Sequence, residues 1–80
     1  MMEITLSKKA AKTLDALDKA TQRRIVEGIY LIPSGNIKPL QGYLEGRFRL
    51  RIGKYRIVFR YTSDDALYII DIGSRGDIYK

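Results

Sequence analysis

Eighty residues make one small domain, expected over residues 1–80, with a small core and marginal stability. The chain has neither cysteine nor histidine, which excludes disulfides and the usual thiolate and imidazole metal sites and removes the commonest general base at neutral pH, so no metal or cofactor is expected. The net charge of +6 and pI near 9.8 point to a polyanionic partner; with no membrane-length apolar run and no signal-peptide core in MMEITLSKK, a cytoplasmic protein without membrane contact is expected.

Met2–Leu6 alternates and reads as a short strand. Ser7 is a good N-cap for a first helix, in which Ala10, Leu14 and Leu17 recur at helical spacing. Asp18-Lys19 is a turn that caps a second helix. Ile25, Ile29 and Ile32 mark its apolar face, with Gln22 and Val26 beside them and Arg23, Arg24 and Glu27 on the wet side. Pro33 and Ser34-Gly35-Asn36 end it. Residues 33–46 hold both prolines and read as a loop, tacked to the core by Leu40, Tyr43 and Leu44.

The remainder reads as strands. In RFRLRIGKYRIVFR, residues 47–60, side chains alternate between two faces. Gly53-Lys54 suits a two-residue type II′ turn, and that turn fixes a register. Ile52 faces Tyr55, Arg51 faces Arg56, Leu50 faces Ile57, Arg49 faces Val58, Phe48 faces Phe59 and Arg47 faces Arg60. One face is then apolar, and the other carries Arg47, Arg49, Arg51, Arg56 and Arg60 around Val58. A four-residue turn, Thr62–Asp65, leads to a last strand, Ala66–Gly73, whose apolar content suggests a central place in the sheet. In that register Phe59 faces Tyr68, Ile57 faces Ile70, Tyr55 faces Ile72 and Arg56 faces Asp71. The expected fold is α+β, in the order β-α-α-β-β-β, with two helices on one face of the sheet.

Like charges opposite each other destabilise a strand pair. Charged strands do blunt edge aggregation, but that does not require a single sign on both strands. Arginine binds phosphate in bidentate fashion and stacks on bases, so the face reads as a phosphate-binding surface. The tail, Gly73 to Lys80, leaves the last strand near Arg51 and Arg56, so Arg75, Tyr79 and Lys80 could close one side. Tyr79 has two readings: a group that stacks or donates a proton, or an ordinary aromatic packed on the sheet edge.

The pattern KPLQGYLEGRFRLRIGKYRIVFRY, followed by IIDIGSRGDIYK, resembles the RelE/ParE superfamily of toxins from type II toxin–antitoxin systems, and its RelE-type members most. The resemblance implies a RelE-like, microbial RNase-like fold with two helices on a curved antiparallel sheet. It implies an endoribonuclease that cuts mRNA in the ribosomal A site by 2′-OH attack on the adjacent phosphate, held inactive by an antitoxin. The implied partners are therefore the antitoxin, the ribosome and mRNA. Carried over by position, the catalytic residues are Arg49, Arg51, Arg56, Arg75 and Tyr79, and the flanking RNA-binding residues are Arg47, Lys54, Arg60 and Lys80. Arg56 is expected to stabilise the pentavalent phosphate and Arg75 to serve the leaving oxygen. The RelE-type pattern has lysines where this chain has Arg49 and Arg51. Arginine, with a pKa above about 12, is a poor base, which leaves proton abstraction to Tyr79, Lys54 or ribosomal RNA. Two other readings stand beside this one: a ParE-type inhibitor of DNA gyrase, and a basic nucleic-acid-binding relative without strong catalysis.

Overall fold

A computed structural model describes residues 3–42 and 46–74 of the chain. Strand β1 (Glu3–Leu6) is followed by helices α1 (Lys8–Asp15) and α2 (Lys19–Tyr30). Four more strands complete the chain: β2 (Asn36–Pro39), β3 (Phe48–Ile52), β4 (Tyr55–Ser63) and β5 (Ala66–Gly73).

Both helices begin at the caps the sequence offers. Ser7 Oγ accepts from the Ala10 N–H at 3.0 Å and donates to the Ile70 carbonyl at 2.7 Å. One hydroxyl thus starts α1 and ties it to β5. The Asp18 carboxylate accepts from the Thr21 hydroxyl at 2.6 Å and the Thr21 N–H at 3.2 Å. These bonds, the hydroxyl's foremost, favour the ionised form and hold the Asp18 pKa below its ordinary value of 3.8. Gln22 Nε2 donates to the Leu14 carbonyl at 2.9 Å, satisfying the end of α1 from the start of α2. The second helix stops at Tyr30 with Leu31 as its C-cap, two residues short of the expected face residue Ile32. Ile32 precedes Pro33, and a residue before proline is disfavoured in helix; it is buried all the same, in the turn.

The sheet order is β1-β5-β4-β3-β2, so β5 does lie inside the sheet. Strands β2 to β5 pair antiparallel with their neighbours, while β1 runs parallel to β5. The sheet is therefore mixed rather than wholly antiparallel. Strand β2 falls within the stretch that reads as a loop. Proline is tolerated on edge strands, and Pro39 closes this four-residue edge.

The β3–β4 hairpin has the expected register from Phe48–Phe59 to Ile52–Tyr55. Gly53 has φ +57°, and no described non-glycine residue has positive φ, which is the type II′ pattern. The β4–β5 register differs from expectation. The turn is the two residues Asp64-Asp65, with Ser63 paired to Ala66, and irregularities fall between Tyr61 and Ser63 and between Val58 and Phe59. Thr62 on β4 and Ile70 on β5 are the extra residues, and each shifts the pairing beyond it. Phe59 consequently faces Ile69, Ile57 faces Ile72, Val58 faces Asp71 and Arg56 faces Gly73. Tyr55 has no paired residue on β5.

The helices cover one face. Ala10 of α1 and Ile25 and Ile29 of α2 pack on Leu50, Ile57, Phe59 and Ile69 in one buried cluster. Gly28 lets α2 come close to β3, since a Cβ there would run into Ile52 Cδ1. Among the described residues no helix is long and apolar enough to cross a membrane.

Candidate nucleic-acid interface

The face of the sheet away from the helices carries the charge. The registers arrange it in ranks across the strands. The first rank runs Asn36, Arg51, Arg56, Gly73. The second runs Lys38, Arg49, Val58, Asp71. The third holds Arg60, Tyr68 and Thr5.

Arg51 is exposed and Arg56 half-buried, side by side on paired strands. Neither has a carboxylate partner among the described residues, where the one ion pair is Lys9–Asp71. Two facing guanidinium groups repel unless an anion lies between them, and both forks match phosphate geometry. Asp71 does not anchor Arg56 as the expected register had it. Its Oδ1 accepts from the Ile72 N–H at 2.9 Å, and its Oδ2 meets Lys9 Nζ of α1 at 3.2 Å. The turn has two residues rather than four and the bulges at Thr62 and Ile70 offset each other, so the carboxylate lies one rank along the strand, opposite Val58. That leaves the Arg51–Arg56 rank free of negative charge among the described residues.

Arg49 is only 7% exposed, lying between β2 and β4 with Val58 at its side. A buried guanidinium is held in one place, so Arg49 positions more than it reaches. Arg47 lies outside β3, half-buried, and its carbonyl accepts from the Leu40 N–H at 2.9 Å. The expected Arg47–Arg60 pairing is absent because β3 begins at Phe48. Arg60 lies instead over the Tyr68 ring, 5.3 Å from its centroid. Lys54 Nζ lies 5.5 Å from the Tyr55 centroid. Tyr55 packs against the helix-side core, so Lys54 leans away from the arginines. Lys38 joins the face through β2, a strand that proline and glycine punctuation hid in the sequence. Leu40 is half-buried, as a tacking residue should be. Tyr43, Leu44, Arg75, Tyr79 and Lys80 lie outside the described residues.

A model of the ParE toxin of type II toxin–antitoxin systems matches residues 4–79. The chain belongs to this family. Solved structures with the same fold include members named RelE and YoeB. An archaeal RelE–RelB complex from Pyrococcus horikoshii is 26% identical over 94% of this chain and 96% of that one, with a TM-score of 0.74. The RelBE2 toxin–antitoxin complex from Mycobacterium tuberculosis is 24% identical, covers 92% and 98%, and has a TM-score of 0.78. A YoeB dimer from Staphylococcus aureus is 21% identical, covers 92% and 97%, and has a TM-score of 0.75. The last two show the likeness of fold alone. Comparison with curated proteins gave no match. The family fold accounts for the layer of two helices on a sheet.

Proposed function

We propose that this toxin is an mRNA endonuclease that acts on the ribosome in the cytoplasm, cutting by 2′-OH attack on the adjacent phosphate. The observation that carries the reading is the Arg51–Arg56 rank, two arginines directly opposite each other on paired strands without a described counter-ion. The attacking oxygen forms a bond to phosphorus while the bond to the 5′ oxygen breaks. Arg51 and Arg56 stabilise the charge that accumulates on the non-bridging oxygens. Arg49, held in its rank, keeps the scissile phosphate in register. Arg75 and Tyr79 are assigned to the leaving oxygen and the adjacent base, with Arg47, Arg60 and Lys80 flanking. The lean of Lys54 toward Tyr55 favours Tyr79 or ribosomal RNA over Lys54 as the proton acceptor.

Two of the similar structures are complexes with an antitoxin, which supports an antitoxin partner here. An acidic segment that folds on binding suits the basic face. Its apolar part would take the groove of about 220 Å³ lined by Ile4, Leu6, Leu14, Val26, Ile29 and Tyr30.

The test is cleavage of a translated message by purified protein, with and without ribosomes. Cleavage is expected only with ribosomes, and Arg56→Ala is expected to lower it by about 10²-fold or more while leaving the circular dichroism unchanged. A folded Arg56→Ala variant that cuts at the wild-type rate sinks the catalytic assignment. The matching model's description as a ParE toxin favours a second reading, inhibition of DNA gyrase. Loss of gyrase supercoiling without any mRNA cleavage would select it.

A further inference from the structure

We propose that Arg60 and Tyr68 form a stacking platform for one nucleobase of the bound RNA, displaced from the Arg51–Arg56 phosphate site. The proposal rests on reading this face as an RNA interface and names a base subsite within it. Arg60 and Tyr68 are cross-strand partners on β4 and β5, and the guanidinium lies over the ring at 5.3 Å. The pair is distinct from the other arginines of the face. Arg51 and Arg56 face each other with no ring between them, whereas Arg60 already has a flat partner. A guanidinium within about 6 Å of an aromatic centroid is drawn toward the ring by its quadrupole, so Tyr68 keeps the Arg60 head over this part of the face. Arg60 is exposed, so a base can reach it, while Tyr68 is half-buried and held by the sheet. Arginine planes and aromatic rings are the usual stacking partners of unpaired RNA bases.

The surroundings fit the same ligand. Thr5 of β1 is exposed and pairs with Tyr68. Its short side chain leaves room at the ring edge and offers a hydroxyl to a base edge. Arg60 stands four residues beyond Arg56, about 13 Å along the strand. That separation assigns the platform to a nucleotide beyond the two that flank the scissile linkage. Stacking is tolerant of sequence but grows with ring area, so the platform gives a purine preference at that one position.

The experiment titrates the isolated protein with a hexanucleotide RNA, 2′-O-methylated throughout so that it cannot be cut. The fluorescent base 2-aminopurine is placed at each position in turn. Wild type is expected to quench the probe strongly at one position. Arg60→Lys keeps the charge and loses the plane; it should abolish that quench and weaken binding about tenfold. Tyr68→Leu should do the same, and Tyr68→Phe should retain the quench. Arg56→Ala should keep the quench at its position while losing cleavage of a translated message. Binding without a quench at any position, or an unchanged quench in folded Arg60→Lys, overturns the platform but leaves the RNA interface standing. No binding of the oligonucleotide overturns both. Unchanged RNA binding with lost antitoxin binding in Arg60→Lys would assign the pair to the protein partner and also overturn the proposal.

Discussion

At the scale of single residues, burial divides the arginines into two kinds. Arg49 is 7% exposed while Arg51 on the same strand is exposed. Truncating a buried arginine removes the packing of its stem as well as its charge. Arg49→Ala should therefore lower stability by about 1–3 kcal/mol, seen as a fall of several degrees in Tm. Arg51→Ala should change Tm little or raise it, because it relieves repulsion from Arg56. Thermal melts of the two variants side by side check this. Alternation in the sequence assigns both arginines to one face. It cannot tell which of them is shielded, because shielding depends on flanking strands, and β2 was not legible.

At the scale of elements, the β3–β4 hairpin was readable because Gly53-Lys54 leaves one turn type and hence one register. The β4–β5 pairing was not, because Thr62 and Ile70 carry no mark of a bulge, and a single extra residue flips the parity of every later pair. The two bulges offset each other by Val58, so the place of Asp71 opposite Val58 rather than Arg56 comes from the turn, two residues at Asp64-Asp65 in place of four. The helix starts were legible from Ser7 and Asp18. Ser7→Ala should cost about 1–2 kcal/mol, since it removes the α1 cap and the bond to the Ile70 carbonyl together; chemical denaturation measures it. Asp18 has a lowered pKa in the folded state. A depressed carboxylate pKa contributes stability above the ordinary value, and that contribution is lost as pH falls through the folded value. The Tm gap between wild type and Asp18→Ala should be full at pH 7, shrink below pH 3.8 and close at lower pH.

At the scale of the whole molecule, two surfaces of different character lie on opposite sides of the sheet. The arginine ranks are on one side. The groove beside α1 and α2 is on the other; Tyr30, 59% exposed, lines it, and Leu31, 65% exposed, follows Tyr30 in the chain. Lys19 and Arg23 stand next to Val26 on the adjoining surface, giving an apolar strip a basic rim. An acidic antitoxin engaging both surfaces should bind with a salt-dependent and a salt-resistant part. Replacing Tyr30 and Leu31 by alanine should weaken the resistant part about tenfold or more without changing cleavage by the free toxin. Calorimetric titrations at two salt concentrations separate the parts. If affinity at high salt is unaffected by the double substitution, the groove is not the apolar contact.

Strand β4 outruns its neighbour. Tyr55–Phe59 pair with β3, but Arg60, Tyr61 and Ser63 have registered partners on β5 alone. Amide protons across the first segment should therefore exchange with deuterium slowly, at rates near those of global unfolding. Those of the overhang that point away from β5 should exchange through small local openings many times more often. The step should fall between Phe59 and Arg60, dividing the Arg51–Arg56 rank from the Arg60–Tyr68 pair. The two ends of one strand would then play different mechanical parts: an anvil at Arg56, and beyond Phe59 a leaf spring that stiffens when something settles on it.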